Sequence, residues 1–203
     1  MNFKLDRVIS IAILLASLIA LVLVLKKPAP VGHPMAPAAI AENAQSFDQK
    51  MAEFEQETQS PIVSYGPPDK AEVRINSDEI SAVLAQSLGT SGATLIPTSN
   101  VGAVPPPIKD QQVSFDGDLV HGQFLTAIAG KNVWITISGH LGEKDGYATF
   151  DPTEFKVGDL SVPVALVNPQ LQERLAEQRD RLKLPDSVGS LKVENSQLVM
   201  QQR

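Results

Sequence analysis

Two histidines, an aspartate and a glutamine are the residues of this chain whose types and spacing could do chemistry. His121 and His140 lie in the alternating runs Leu119–Ile128 and Val133–Leu141, and Gln112 and Asp151 lie in the runs on either side. With Gly130 and Lys131 as a two-residue turn, the central runs pair as a β-hairpin whose partner numbers sum to 261, which sets His121 against His140. Turns at Asp116-Gly117 and Asp145-Gly146 bring Gln112 and Asp151 into the same cross-strand row. Directly opposed residues have Cβ atoms about 4.5–5.5 Å apart, so His121, His140 and Asp151 are candidate ligands of a weak metal site or a pH-sensitive patch. The plainer reading is a solvated face on which polar residues meet because they alternate with apolar ones, and two imidazoles with one acid are a thin ligand set. The chain has no glycine-rich phosphate loop, no HExxH, no GxSxG and no cysteine. No catalytic residue, metal or cofactor is therefore assigned, and a non-enzymatic role is expected.

The elements that must position this row also make an apolar face. In the same register Val120 meets Leu141, Phe124 meets Ile137 and Thr126 meets Ile135, while Asp145-Gly146 sets Leu141 beside Phe150. Gly122 opposes Gly139, leaving a shallow trough: a helix crosses closely there, the sheet bends, or the trough is floor space for an acyl chain. The best-marked helix precedes the meander, with Asn76 as N-cap and Glu79 three residues later forming a capping box, then Ile80, Val83, Leu84 and Leu88 at helical spacing. Between this helix and the sheet, Ile80, Leu84, Phe124, Ile135, Ile137, Leu141 and Phe150 are the candidate lining for an apolar ligand; the same residues would form an ordinary core. Trp134, on the mixed face near Leu125 and Ala127, is either a partner surface or lies under a covering element.

Around this centre the chain reads as an α+β protein: an N-terminal transmembrane helix, a linker, then a curved antiparallel β-meander of four to six strands packed with two helices. Asn168-Pro169 starts the second helix, to about Leu182. Ser190–Met200, around Asn195-Ser196, forms a last hairpin or one bent strand. Pro61–Pro68 is a breaker. Gly89–Lys109, with Pro105, Pro106 and Pro107, is a long loop without period, either a floppy insertion or a partner-binding segment. The expected division is 1–27 anchor, 28–70 Pro/Ala-rich linker and stalk, and 71–203 body. Within the stalk, Phe47, Met51 and Phe54 share one helical face, giving a short docking helix or a mobile stalk.

Val8 to Leu25 is uncharged with two serines, about 27 Å long as a helix at roughly 1.5 Å per residue, and runs into Lys26, Lys27 and Pro28 without a small-residue cleavage site. This reads as an uncleaved signal anchor, making the membrane a partner through Val8–Leu25. Lys4 and Arg7 balance Lys26 and Lys27, so charge alone does not orient it. The very short N-terminal tail favours a body on the periplasmic side of a bacterial inner membrane. The net charge of −6 becomes one unit more negative without residues 1–25, and no basic cluster is present, so nucleic-acid binding is not expected.

The segments Ile75-Asn-Ser-Asp-Glu-Ile-Ser-Ala-Val-Leu84, Phe155-Lys-Val-Gly-Asp-Leu-Ser-Val-Pro163 and Leu184-Pro-Asp-Ser-Val188 resemble the YpmS-type single-pass exported proteins and, more remotely, tubular lipid-binding domains. The resemblance implies an anchored extracytoplasmic domain with a curved sheet around a helix, holding lipid. It transfers no site residue. The expected function is thus a membrane-anchored domain that binds an apolar ligand, lipid first, with a structural or interaction module of an envelope complex as the alternative. A cavity of several hundred Å³ among the apolar residues points to the first, and a solid core with an exposed apolar patch to the second.

Overall fold

The computed structural model describes residues 3–33, 35–59, 70–91, 108–128 and 130–203, with side chains described from Ile13 onward and not for 87–91. Helix α1 (Phe3–Leu25) leads into an extended segment and then α2 (Pro37–Gln59), which has proline at its first position, where the missing N–H costs nothing. Strand β1 (Glu72–Ile75) precedes α3 (Ser77–Ser91), and the meander follows as β2 (Asp110–Asp116), β3 (Leu119–Ile128), β4 (Lys131–Lys144), β5 (Tyr147–Val157) and β6 (Leu160–Val162). Helix α4 (Val164–Glu177) and a 3-10 turn at Arg179–Leu182 lead to β7 (Val188–Glu194) and β8 (Gln197–Gln202).

The single sheet expected is in fact two. The meander forms a five-stranded sheet in sequence order, and the two ends of the body form a three-stranded sheet, β1-β8-β7, in which Val73 and Leu191 flank Met200 while Ile75 and Val193 flank Leu198. Asn195 and Ser196 both take positive φ in the β7–β8 turn, as a tight hairpin of this hand requires. Four α-helices are present among the described residues: α1 at the N-terminus, α2 in the expected stalk, and α3 and α4 as the two helices of the body. Helix α4 begins at Val164, so Pro169 lies within it rather than at its first position.

The expected N-terminal transmembrane helix is also corrected: among the described residues, no helix is long and apolar enough to cross a membrane. Lys4, Asp6 and Arg7 occupy the first turns of α1, and Leu23 and Val24 are half-buried where the helix meets the body.

The main core lies where the three-stranded sheet meets α2 and one end of the meander. Val73, Ile75, Val188, Leu191, Val193, Leu198 and Met200 are buried with Phe54 of α2, and Phe47, Met51, Ile80, Phe115, Val120, Leu141 and Ala148 pack around them. The Phe47, Met51 and Phe54 stripe thus docks α2 on the body. A second lock is polar. The Glu79 N–H donates to Asn76 Oδ1 at 2.8 Å and the Asn76 N–H donates to Glu79 Oε2 at 2.9 Å, which is the capping box. From α2, Ser46 Oγ donates to Glu79 Oε1 at 2.5 Å and Lys50 Nζ reaches the same carboxylate at 2.8 Å. Burial would raise the pKa of Glu79, which is 2% exposed, but the bonds from Lys50, Ser46 and the Asn76 backbone outweigh it and hold the carboxyl below its ordinary range.

Two registers differ from expectation by two residues. Ile128 pairs with Lys131, so β3 and β4 connect one residue earlier than expected, and Gly122 faces Ile137 while Phe124 faces Ile135. Val113 likewise faces Gly122, not Val120. A slip of two preserves which residues share a face, so the apolar set stays together. The β4–β5 register is as expected, with Leu141 beside Phe150 and His140 beside Asp151, until it shifts at Ser138/Gly139 opposite Pro152. The Pro61–Pro68 breaker and most of the Gly89–Lys109 loop lie outside the described residues.

Candidate functional site

The face of the meander that carries His121 is covered around Gln123, Thr136 and Ser138, while His140 at its far end is exposed. Val133, Trp134, Ile135 and Thr136 are buried in succession along β4, so both faces of that strand are occupied, and Gln123 and Ser138 are buried beside them. What covers this face is residues 26–33, the segment between α1 and α2 that was expected to be a free linker. Pro28 is buried, Gln123 Nε2 donates to the Ala29 carbonyl at 3.0 Å and to Thr136 Oγ1 at 3.2 Å, and the Gly32 N–H donates to Gln112 Oε1 at 3.3 Å. Lys27 Nζ lies 5.7 Å from the centre of the buried Trp134 ring, a cation–π contact between this segment and β4.

The strap is fixed at its start by α1. The Asp159 N–H donates to the Leu23 carbonyl at 2.9 Å, the Gly158 N–H donates to the Trp134 carbonyl at 2.7 Å, and Lys26 pairs with Asp159 at 2.6 Å. Gly158, at φ +60, sits in the β5–β6 turn where a Cβ would run into the Leu23 and Val24 carbonyls, so the close approach of α1 requires glycine. Under the strap is a cavity of about 320 Å³ lined in part by His121, Gln123, Glu154, Lys156 and Asp159.

The expected cross-strand row is broken by the register. His121 faces Ser138, whose Oγ lies 2.8 Å from His121 Nδ1, and His140 faces Leu119, with Nδ1 at 3.4 Å from Asp118 Oδ2 at an exposed position. Asp151 does pair with His140, but no group of three His, Cys, Asp or Glu residues that could hold a metal occurs among the described residues. The Gly122–Gly139 trough is likewise divided. The Phe124 ring lies over Gly122, 3.0 Å from where a Cβ would be, and Gly139 is pressed against the Asp151 backbone at the register shift.

The seven candidate lining residues scatter. Ile80 and Leu141 pack on the main core, Ile135 is buried in the meander, and Phe124, Ile137 and Phe150 are partly buried there. None of these seven, Leu84 included, lines either of the two larger described cavities.

The larger of these, about 380 Å³, lies between edge strand β2, helix α3 and the chain entering α2, lined by Gly32, Met35, Ile40, Ser81, Ala85 and residues 108–113. Ser81 Oγ donates to the Val113 carbonyl at 3.2 Å and accepts from its N–H at 3.3 Å, so α3 closes the β2 edge at that point. Beside it, both polar atoms of the Gln111 carboxamide are buried without a hydrogen-bond partner. Neither this cavity nor the strap follows from periodicity. The one available signal for the strap was that the central residues of its β3 and β4 floor, Gln123, Thr136 and Ser138, are polar yet uncharged, as suits a face that is covered.

A scan against protein-family models, a search of curated proteins and a search of solved structures each return no match.

Proposed function

We propose that this chain is a non-enzymatic envelope protein that associates with a lipid surface through α1 and presents its β-rich body as an interaction module to another envelope protein. The observation that carries the reading is the outward face of α1: Ile13, Leu14, Leu18, Ile19 and Val22 are each more than half exposed and spread around most of the helix. Each such side chain left in water forgoes about 1.5–3 kcal/mol of burial, and a patch of this extent marks a lipid or protein contact. A lipid surface is the better match, because these side chains are aliphatic and the helix carries no charge from Val8 to Leu25.

The body adds to this reading. The candidate lining residues are drawn into packed regions, which supports a lipid contact through α1 over one inside the body. The strap and the β5–β6 turn fix α1 to the five-stranded sheet, so the body is held in one attitude to whatever α1 touches. The test is flotation of the full chain with phosphatidylethanolamine and phosphatidylglycerol vesicles, beside a Leu14→Glu, Leu18→Glu variant. The full chain is expected to float and the variant to remain in the load. A full chain that stays down with the variant would sink the reading.

A further inference from the structure

We infer that the end of the five-stranded sheet to which α1 is attached is a second lipid contact, made to anionic headgroups, with Ile128 as its apolar tip and Lys27, Lys109 and Lys131 as its cations. The strand registers gather these residues. Ile128 pairs with Lys131 at the end of the β3–β4 hairpin, and the Lys109 N–H donates to the Leu125 carbonyl at 2.7 Å, so β2 enters at the same end. The Gly158 N–H donates to the Trp134 carbonyl, which sets the β5–β6 turn three residues behind Lys131. That turn holds the end of α1 through Leu23 and pairs with Lys26. The hairpin therefore projects about 10 Å past the attachment of α1, at roughly 3.3 Å per residue.

The chemistry of this end differs from the rest of the body. Outside α1, Ile128 and Leu166 are the two large apolar side chains exposed among the described residues, and β6 carries the chain away from this end before Leu166. Lys27, Lys109 and Lys131 are exposed and have no acidic partner among the described residues, whereas Lys50, Lys156, Lys183 and Lys192 each pair with a carboxylate. Lys109 Nζ is held beside the hairpin by Asn132 Oδ1 at 2.8 Å. With Lys26, four lysines stand here against Asp110 and Asp159, in a chain whose net charge is −6. Asp159 is taken by Lys26, and Asp110 turns back on the Gln111 N–H at 2.8 Å. An isoleucine flanked by unpaired lysines suits a headgroup layer, where the apolar tip enters the acyl boundary and the ammonium groups stay at the level of the phosphates.

The inference rests on the reading of α1 as the lipid contact, since α1 is what brings this end to the surface, and it adds the class of headgroup. The test uses the full chain, which has no native cysteine, with an environment-sensitive nitrobenzoxadiazole on Leu18→Cys or Ile128→Cys. Each is mixed with vesicles of phosphatidylcholine alone, or of equal parts phosphatidylcholine and phosphatidylglycerol. The emission at position 18 is expected to move to the blue with both kinds of vesicle, and that at position 128 with the mixed vesicles only. Salt at about 1 M, where the screening length falls to about 3 Å, should return position 128 to its emission in water. Adding Lys109→Gln and Lys131→Gln should lower the ratio of inserted to free tip at position 128 about thirtyfold and leave position 18 unchanged.

A position 128 that stays in water in mixed vesicles that do shift position 18 would overturn this inference and leave the reading of α1 standing. No shift at either position would overturn both. A shift at position 128 that is as large in phosphatidylcholine alone, or that is indifferent to the two lysine substitutions, would overturn the assignment to anionic headgroups. Should Ile128→Cys fail to fold, a label on Asn132→Cys, next to Lys131 on the same hairpin, must show the same contrast between the two kinds of vesicle.

Discussion

At the scale of single residues, the most consequential side chain is Glu79, because one carboxylate serves both as the capping partner of α3 and as the anchor for Ser46 and Lys50 of α2. Lys50→Met would leave this carboxylate without its cation but still bonded to Ser46 and the Asn76 N–H, and should cost about 1–3 kcal/mol in urea unfolding at neutral pH. The pH dependence has a definite sign. The carboxyl of Glu79 is held below its ordinary value of 4.5 in the folded chain, so its contribution is fully present above that value and is lost as pH falls through the folded pKa. Stability should therefore decline more steeply in the wild type than in Glu79→Gln between about pH 5 and about pH 3, and parallel declines would contradict the assignment. The glycines separate in the same way. Gly139→Ala meets the Asp151 backbone and should cost about 2–3 kcal/mol, while Gly122→Ala meets only the Phe124 ring and should cost about 1 kcal/mol, in the same unfolding measurement. Asn76 and Glu79 were legible in the sequence because a capping box is local in the chain. Gln111 was not, because what distinguishes it is the lack of a partner, and that depends on three elements distant in sequence.

At the scale of elements, the meander shows how far a turn signal reaches. Asp145-Gly146 fixed the β4–β5 register, and Asp145 and Gly146 both take positive φ there. Around Gly130 the turn lies one residue earlier than its glycine suggested, and the resulting slip of two kept the faces while breaking the histidine row. The apolar face was therefore legible and the candidate metal site was an artefact of register. The three-stranded sheet was hidden for a different reason: β1 and β8 are four and six residues long and lie at opposite ends of the body, with no turn between them to announce the pairing. The segment 26–33 has proline and alanine without a period, which reads as a linker, and only the uncharged character of Gln123, Thr136 and Ser138 hinted at a cover. Its attachment makes a prediction. Gly158→Val places a side chain against the Leu23 and Val24 carbonyls and should detach the end of α1, raising the rate of proteolysis at Lys26 and Lys27 several-fold while leaving the β7–β8 hairpin protected. Asp159→Asn, which removes the half-exposed ion pair with Lys26 and leaves the cleavage site in place, should change that rate little.

At the scale of the whole molecule, the account joins an apolar helix to a body through a strap that holds the two in fixed relation. The sequence made the apolarity of Val8–Leu25 plain, but not that its last turn is spent on Gly158 and Asp159. The absence of cysteine allows a single label to be placed without background, so the central claim can be read directly from Leu18→Cys carrying a nitroxide, with Ser161→Cys on β6 as the control. Accessibility to oxygen and to a water-soluble nickel chelate would be measured by electron paramagnetic resonance, with and without phosphatidylethanolamine and phosphatidylglycerol vesicles. The account predicts that vesicles raise oxygen accessibility and lower nickel accessibility at position 18 while position 161 stays open to nickel. Accessibilities at position 18 that do not change when vesicles are added would contradict it.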